Sequence, residues 1–208
     1  MRSALFSLVL VLALPHANGY AQSDPDMRAS MTDYFDGERR GSIGFMTMGT
    51  ASLVAGGLLV GGSSDLRKGM AYPMLGLGAA QFLVGAVVFL RTPGQVDRLG
   101  EQLEVAPADY RAEELVRIEG VNRTFRYLVI TELVIVAGGA TTAVVGYRSD
   151  NDTATGIGAG LVLEALVILT QDLLAARRAN RYTRDLQGFG VSAWAGRGEL
   201  GLVYRGSF

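Results

Sequence analysis

The side chains of this sequence that could carry chemistry are almost all carboxylates, amides and hydroxyls. The chain of 208 residues contains no cysteine, and its single histidine is His16. Disulfides, iron–sulfur clusters and thiol nucleophiles are therefore excluded, and histidine-based catalysis has only one candidate residue. Three polar residues stand out because long apolar segments surround them: Gln81, Glu132 and Glu164. A carboxylate inside a membrane is costly and is a functional candidate by default.

These three residues could form one polar layer inside a helical bundle. Counted from the nearest polar turn at 1.5 Å per residue, Glu164 lies about nine residues deep, Gln81 about twelve and Glu132 about fourteen. One interpretation is a relay for protons or cations. The other is a structural layer in which Glu164 hydrogen-bonds to Gln81, Thr131 or Thr170 and fixes the helix register. We favour the structural interpretation.

No sequence motif supports an enzyme. The chain has no HExxH, no Gly-x-Ser-x-Gly and no nucleotide loop that ends in Gly-Lys-Ser/Thr. The 19 basic and 20 acidic residues nearly balance, so no positive field attracts nucleic acid. We therefore predict a non-enzymatic protein with no catalytic residues, no cofactor, no metal and no nucleic-acid partner.

Four segments of the chain are almost free of charged residues: 42–62, 69–90, 127–147 and 155–176. Each has the length of about 20 residues that crosses the hydrocarbon core of a bilayer. The alternative is a soluble all-α domain, but its helices would carry a polar face, and the first two segments have no charge at all. We predict an all-α membrane protein with four transmembrane helices. Asp172, near the end of the fourth segment, is expected to reach the interface or meet Arg177.

Short polar turns at residues 63–68 and 148–153 divide the four segments into two antiparallel hairpins. Residues 53–57 resemble residues 135–139 in sequence, so an internal duplication is possible, although low-complexity apolar sequence also matches itself by chance. Glycine is in excess, with 28 residues. We expect small residues four positions apart to pack the helices closely in lipid. These pairs are Gly57 with Gly61, Gly76 with Ala80, Gly138 with Thr142, and Gly156 with Gly160.

Residues 1–21 have the composition of a secretory signal peptide. A basic start precedes an apolar stretch at residues 4–14, and small residues Gly19 and Ala21 stand before the expected cleavage point. The alternative is an uncleaved anchor, but eleven apolar residues are too few to span a membrane. The basic residues are 18 arginines and one lysine, a bias that GC-rich codon usage produces, and we expect a bacterial source.

Two features of the sequence predict opposite orientations in the membrane. Four spans with short turns place residues 22–41, 91–126 and 177–208 on one common side. An exported signal peptide puts that side in the periplasm. The positive-inside rule puts it in the cytoplasm, because it carries 15 basic residues against three in the two turns. We expect the periplasmic orientation in the bacterial inner membrane, since the first targeting element usually dominates.

The two polar segments that precede the first and third spans are expected to differ in order, with residues 91–126 more ordered than residues 22–41. Residues 22–41 form a polar N-terminal arm, either loose or a short helix. Residues 91–126 form a polar, partly helical connector, in which Pro107 suits a first helical turn and an apolar stripe runs from Leu115 to Leu128. The connector could be a docking surface, but a solvated link between the hairpins is the interpretation we favour.

The last segment, 177–208, combines a basic helix end with a β-prone tail. After Gly188 the apolar residues alternate, and a Gly-Arg-Gly turn at 196–198 predicts a β-hairpin. A lone hairpin is marginal in water. Trp194, Tyr204 and Phe208 are therefore candidate contacts with the headgroup layer or with a partner protein, and a disordered tail is the alternative.

We predict from these features a structural or interaction subunit of a membrane complex in a bacterial envelope. Its expected partners are the lipid bilayer and either other envelope proteins or further copies of itself. The alternative is a small transporter or channel subunit in which the intramembrane Glu and Gln residues relay protons or cations.

Overall fold

A computed structural model describes residues 24–189, 191–196 and 199–204 of the chain. The side chains of residues 26–189 are described, and for the remaining segments only the backbone is described. The predicted signal peptide at residues 1–21 and the candidate contact Phe208 therefore lie outside the described residues.

Four long helices make up most of the described chain: α1 (Asp24–Val60), α2 (Asp65–Val105), α3 (Pro107–Arg148) and α4 (Asp152–Gly188). All four are long and apolar enough to cross a membrane. The prediction of an all-α membrane protein with four such helices is confirmed. A helix of forty residues spans about 60 Å, roughly twice the thickness of the hydrocarbon core. Each helix is therefore longer than a span needs, and the additional residues, which we call the extensions, lie at the same end of the four helices.

These helical extensions occupy the segments for which the sequence predicted an arm and a connector. α1 begins at Asp24, and α2 continues through Pro93 to Val105. Only Ala106 separates α2 from α3, which begins at Pro107. The extensions are helical throughout because their apolar residues recur at helical spacing and together bury a common stripe.

The main hydrophobic core of the protein lies between the extensions. Its fully buried members include Met27, Phe35, Leu99, Tyr110 and Tyr182, contributed by all four helices. Water drives this burial through the hydrophobic effect, which does not act between helices in lipid. The extensions thus form a four-helix bundle with a core of the kind that water stabilises, and the spans need a different source of stability.

Inside the spans the helices pack through glycines. α2 and α4 form the central pair, α1 packs on α2, and α3 packs on α4. The closest approach joins Gly69 of α2 to Gly156 of α4, where a Cβ on either residue would overlap the backbone of the other helix. Gly49 and Gly78 make the corresponding contact between α1 and α2, because a Cβ on Gly49 would lie 2.5 Å from the Gly78 carbonyl oxygen.

Of the four small-residue pairs expected to pack the bundle, only Gly156 with Gly160 lies at a close interface. Gly57, Gly76 and Gly138 have no atom from a neighbouring element within 4 Å of an added Cβ. The expectation is wrong for these three because the spacing of small residues does not show which face of a helix is turned inward.

Beyond α4 the backbone forms two short antiparallel strands, β1 (Val191–Gly196) and β2 (Glu199–Tyr204). Their register places Val191 opposite Tyr204 and Trp194 opposite Gly201.

The glycine contact between α2 and α4 yields a stability prediction with a matched control. We expect Gly156→Ala to destabilise the protein by about 1–3 kcal/mol, since overpacking at a closed contact forces the backbones apart. Gly138→Ala, on an open helix face, is expected to leave stability unchanged or slightly improved. Thermal unfolding in mild detergent measures both variants. Equal melting temperatures for the two would contradict the backbone contact.

Candidate functional site

The three residues of the expected polar layer fall into two separate clusters. Glu164 of α4 is 0% exposed. Its Oε1 accepts a hydrogen bond of 2.7 Å from the Ser52 hydroxyl of α1, and its Oε2 accepts one of 3.1 Å from the Gln81 amide of α2. One carboxyl group therefore ties three helices together. Ser52 could not be predicted from the sequence, because a single serine in an apolar span has no signal that distinguishes it.

The other partners considered for Glu164 bond elsewhere. The hydroxyl of Thr131 donates to the Tyr127 carbonyl oxygen at 2.9 Å. The hydroxyl of Thr170 donates to the Leu166 carbonyl oxygen at 2.8 Å. Both bonds lie within a single helix, so neither threonine links two helices.

Glu132 lies in a second cluster, at the contact between α3 and α4. Its carboxyl group neighbours that of Asp172 of α4. Asp172 is 6% exposed, so the expectation that it would reach the interface or meet Arg177 is wrong. The rotation of α4 turns Asp172 towards α3 instead. The Glu132 Oε2 atom is buried and has no hydrogen-bond partner among the described residues.

A polar stripe on α4 extends from Glu164 towards the membrane surface. Gln171 and Arg178 follow Glu164 at intervals of seven residues and therefore share its helix face. Both polar atoms of the Gln171 side chain are buried and have no hydrogen-bond partner within the described part of the chain. The contact surface between α1 and α4 is called the seam here. Buried polar groups without partners are rare and costly, so Gln171 is an unusual residue in this seam.

Glycines on α1 make room for this stripe. An added Cβ on Gly44 would lie 3.7 Å from the Gln171 Oε1 atom. The Arg178 side chain is closer still, with its Cδ atom 2.6 Å from an added Cβ on Gly37 and its Nη2 atom 2.8 Å from one on Gly41. Burial lowers the pKa of Arg178 from its ordinary value. The glycine face of α1 thus leaves space for two long polar side chains of α4.

An aromatic and polar cluster continues the same line in the core of the extensions. The hydroxyl of Tyr182 lies 2.6 Å from that of Tyr110, and its ring stacks on Tyr34 with 4.7 Å between centroids. Buried Glu114 accepts two hydrogen bonds from Arg117, at 2.6 and 2.5 Å. Burial raises the pKa of Tyr110 to about 12, so its hydroxyl stays protonated near neutral pH. Sequence analysis missed this cluster, because its partners are far apart in the chain.

The outer face of α1 carries a shallow apolar groove of about 670 Å³. Its lining comes from α1 itself: Ile43, Met46, Thr47, Thr50, Ala51, Val54, Ala55 and Leu58. The groove lies on the part of α1 that crosses the membrane, so it faces lipid or another transmembrane helix.

The three remaining candidate residues, Trp194, Tyr204 and Phe208, belong to the C-terminal segment. Trp194 and Tyr204 lie in β1 and β2, for which only the backbone is described. Within the described residues, no group of three or more His, Cys, Asp or Glu side chains could hold a metal ion. Comparison of the chain with protein-family models, characterised proteins and solved structures finds no match.

The geometry around Glu164 predicts a graded effect of substitution. Glu164→Ala leaves the Ser52 and Gln81 donors buried without an acceptor, and we expect a loss of about 1–3 kcal/mol. Glu164→Gln retains one acceptor oxygen and is expected to cost less than half as much. Thermal unfolding in detergent measures the difference, with Thr170→Val as the control on an exposed face of the same helix. A larger loss for Thr170→Val would contradict the assignment.

Proposed function

We propose that this chain is a non-enzymatic integral membrane protein of a bacterial envelope, where it serves as a structural or interaction subunit of a membrane complex. The observation that carries this proposal is the groove on the outer face of α1. In a bilayer, exposed apolar side chains are not by themselves a docking signal, because lipid tails are equally apolar. A strip of small side chains differs, because it lets the backbone of a second helix approach closely, and van der Waals packing of this kind drives helix association in lipid.

Small residues support a helix as the occupant of the groove. Thr47, Ala51 and Ala55 are four residues apart and belong to its lining. Side chains of this size allow two helix backbones to approach closely, as the glycines do within the bundle. The proposed partner is a transmembrane helix of another envelope protein or of a second copy.

The hydrogen bonding of Glu164 is consistent with a structural role. Both carboxyl oxygens accept bonds from neighbouring helices, Ser52 on one side and Gln81 on the other. A group held in this way fixes the relative positions of α1, α2 and α4. This use of a buried carboxyl matches the structural interpretation of the polar layer.

Several finer features belong to the same proposal. We place the protein in the bacterial inner membrane as two antiparallel hairpins, with the extensions and both termini in the periplasm. The β-prone tail, with Trp194, Tyr204 and Phe208, is a second candidate contact with a partner. Antiparallel backbone pairing between β1 and β2 supports a hairpin there.

Site-specific photo-crosslinking tests the groove. A photoreactive residue at Ala51 is expected to give a protein adduct whose mass identifies either a second copy or another protein. The control position is Val134 of α3, which is exposed and does not line this groove. We expect at least about fivefold less protein adduct there, since lipid covers that face. Equal labelling of the two positions, or labelling of lipid alone at Ala51, would overturn the proposal.

Deletion of residues 191–208 tests the tail separately. The deletion begins after Phe189, because this residue is part of the buried core of the extensions. If the tail holds the partner, the Ala51 adduct decreases in the truncated protein. If the α1 groove alone holds it, the adduct persists.

A small transporter or channel subunit is the second candidate function. The observation that favours it is the line of polar groups on α4, in which Gln171 has no hydrogen-bond partner among the described residues and Asp172 neighbours Glu132. In lipid, carboxyls and amides inside a bundle are typical of proton and ion pathways. Such a path would run along the seam between α1 and α4.

Proton flux in proteoliposomes distinguishes the two functions. A relay predicts dissipation of an imposed pH gradient that Glu164→Gln reduces by about tenfold or more, whereas Thr170→Val has no effect. The structural role predicts no flux above that of empty vesicles, and the same variant is then silent. A trapped pH-sensitive dye measures both outcomes.

A further inference from the structure

The charged residues of the extensions are sorted by their distance from the membrane. On each helix, the eight residues next to the span form the inner part of the extension. The four inner parts together contain ten arginines and four acidic residues: they are residues 34–41, 91–98, 119–126 and 177–184. The outer parts contain three arginines and nine acidic residues: these parts are residues 24–33, 99–118 and 185–188. The continuous helices convert these sequence positions into two layers, a basic one beside the membrane and an acidic one beyond it. We call the basic layer the arginine belt.

Few of the belt arginines are neutralised within the protein. Among the described residues, only Arg91 of the belt forms an ion pair within 4 Å, with Glu38 at 2.8 Å. Arg39 lies over the Phe89 ring at 4.8 Å. Arg123 and Arg126 of α3 are exposed, as are most arginines of α4 in this layer. Crowded positive charges beside a low-dielectric region repel one another unless an anion lies between them.

The position of the belt identifies the anion. It begins where the apolar spans end, on all four helices, and the ends of a span lie near the level of the lipid phosphates. Arginine binds phosphate oxygens in a bidentate manner, and its long stem lets the charge reach the headgroups. We propose that the arginine belt binds the headgroups of anionic phospholipids around the bundle.

The acidic layer fits the same partner. It starts two helical turns, or about 11 Å, above the span ends. That distance exceeds the screening length of about 8 Å at physiological ionic strength, so the acidic layer escapes most of the repulsion from an anionic surface. A soluble anion or an acidic protein would favour a cluster on one side, whereas the belt draws arginines from every helix.

Lipid selectivity of the purified full chain tests the proposal. Native mass spectrometry counts the lipids retained from equimolar phosphatidylglycerol and phosphatidylcholine with identical acyl chains. We expect the wild-type chain to retain mainly phosphatidylglycerol. Replacement of Arg123, Arg126, Arg177 and Arg181 by Gln is expected to lower the ratio of retained lipids by about tenfold, and replacement by Lys to preserve most of it.

Two controls separate this site from general charge effects. Arg28→Gln removes a positive charge from the acidic layer and is expected to leave the ratio unchanged. Inorganic phosphate, compared with chloride at equal ionic strength, is expected to leave the retained lipid in place. Loss of the lipid to phosphate would instead indicate a soluble-anion site.

The result on the wild-type chain is decisive even if the Gln variant fails to fold. Equal retention of the two lipids by the wild-type chain overturns the proposal. The same holds if a folded Gln variant retains the wild-type selectivity. Unchanged lipid ratios combined with loss of an acidic protein partner from the Gln variant would show that the belt binds protein.

Discussion

The close approach of α2 and α4 is the constraint on which the rest of the structure depends. At Gly69 and Gly156 the two backbones touch, and neither position can hold a side chain without moving a helix. In lipid no hydrophobic force brings helices together, so van der Waals contact between backbones must do so. The contact places Gln81 of α2 within reach of Glu164 of α4. It also makes these two helices the centre on which α1 and α3 pack.

Two different solvents act on each helix. The extensions bury aromatic and aliphatic side chains such as Tyr110 and Leu99, a pattern that water stabilises. The spans bury glycines and a few polar groups, and they leave large apolar side chains such as Leu83 on the outside. Because each helix is continuous, the core outside the membrane fixes the rotation of the segment inside it. The seam between α1 and α4 shows this continuity, since Tyr34 stacks on Tyr182 in the same seam where Ser52 meets Glu164.

The sequence predicts well where the spans lie along the chain, but it predicts poorly which faces of the helices contact one another. Both outcomes have a physical reason. A chargeless segment of twenty residues has one stable environment, so its length and composition suffice. Which side of the helix faces a neighbour depends on tertiary contacts, and Gly57 and Gly156 look alike in sequence although only Gly156 is buried. Asp172 illustrates the same point, because the rotation of α4 decides whether it meets Arg177 or Glu132. The Tyr110–Tyr182 contact joins residues 72 positions apart and leaves no local signal.

If the arginine belt lies at the lipid headgroups as proposed, the charge layers set the depth of the bundle, and this depth explains the environment of Glu164. Arg126 and Arg148 mark the two ends of the α3 span, 22 residues or about 33 Å apart, which matches the hydrocarbon thickness with part of the headgroup layers. Glu164 lies about 20 Å from Arg177 along α4, near the middle of that distance. A carboxyl group is most costly there. The two donors on α1 and α2 therefore stabilise the one position where the chain could least tolerate an isolated carboxyl group.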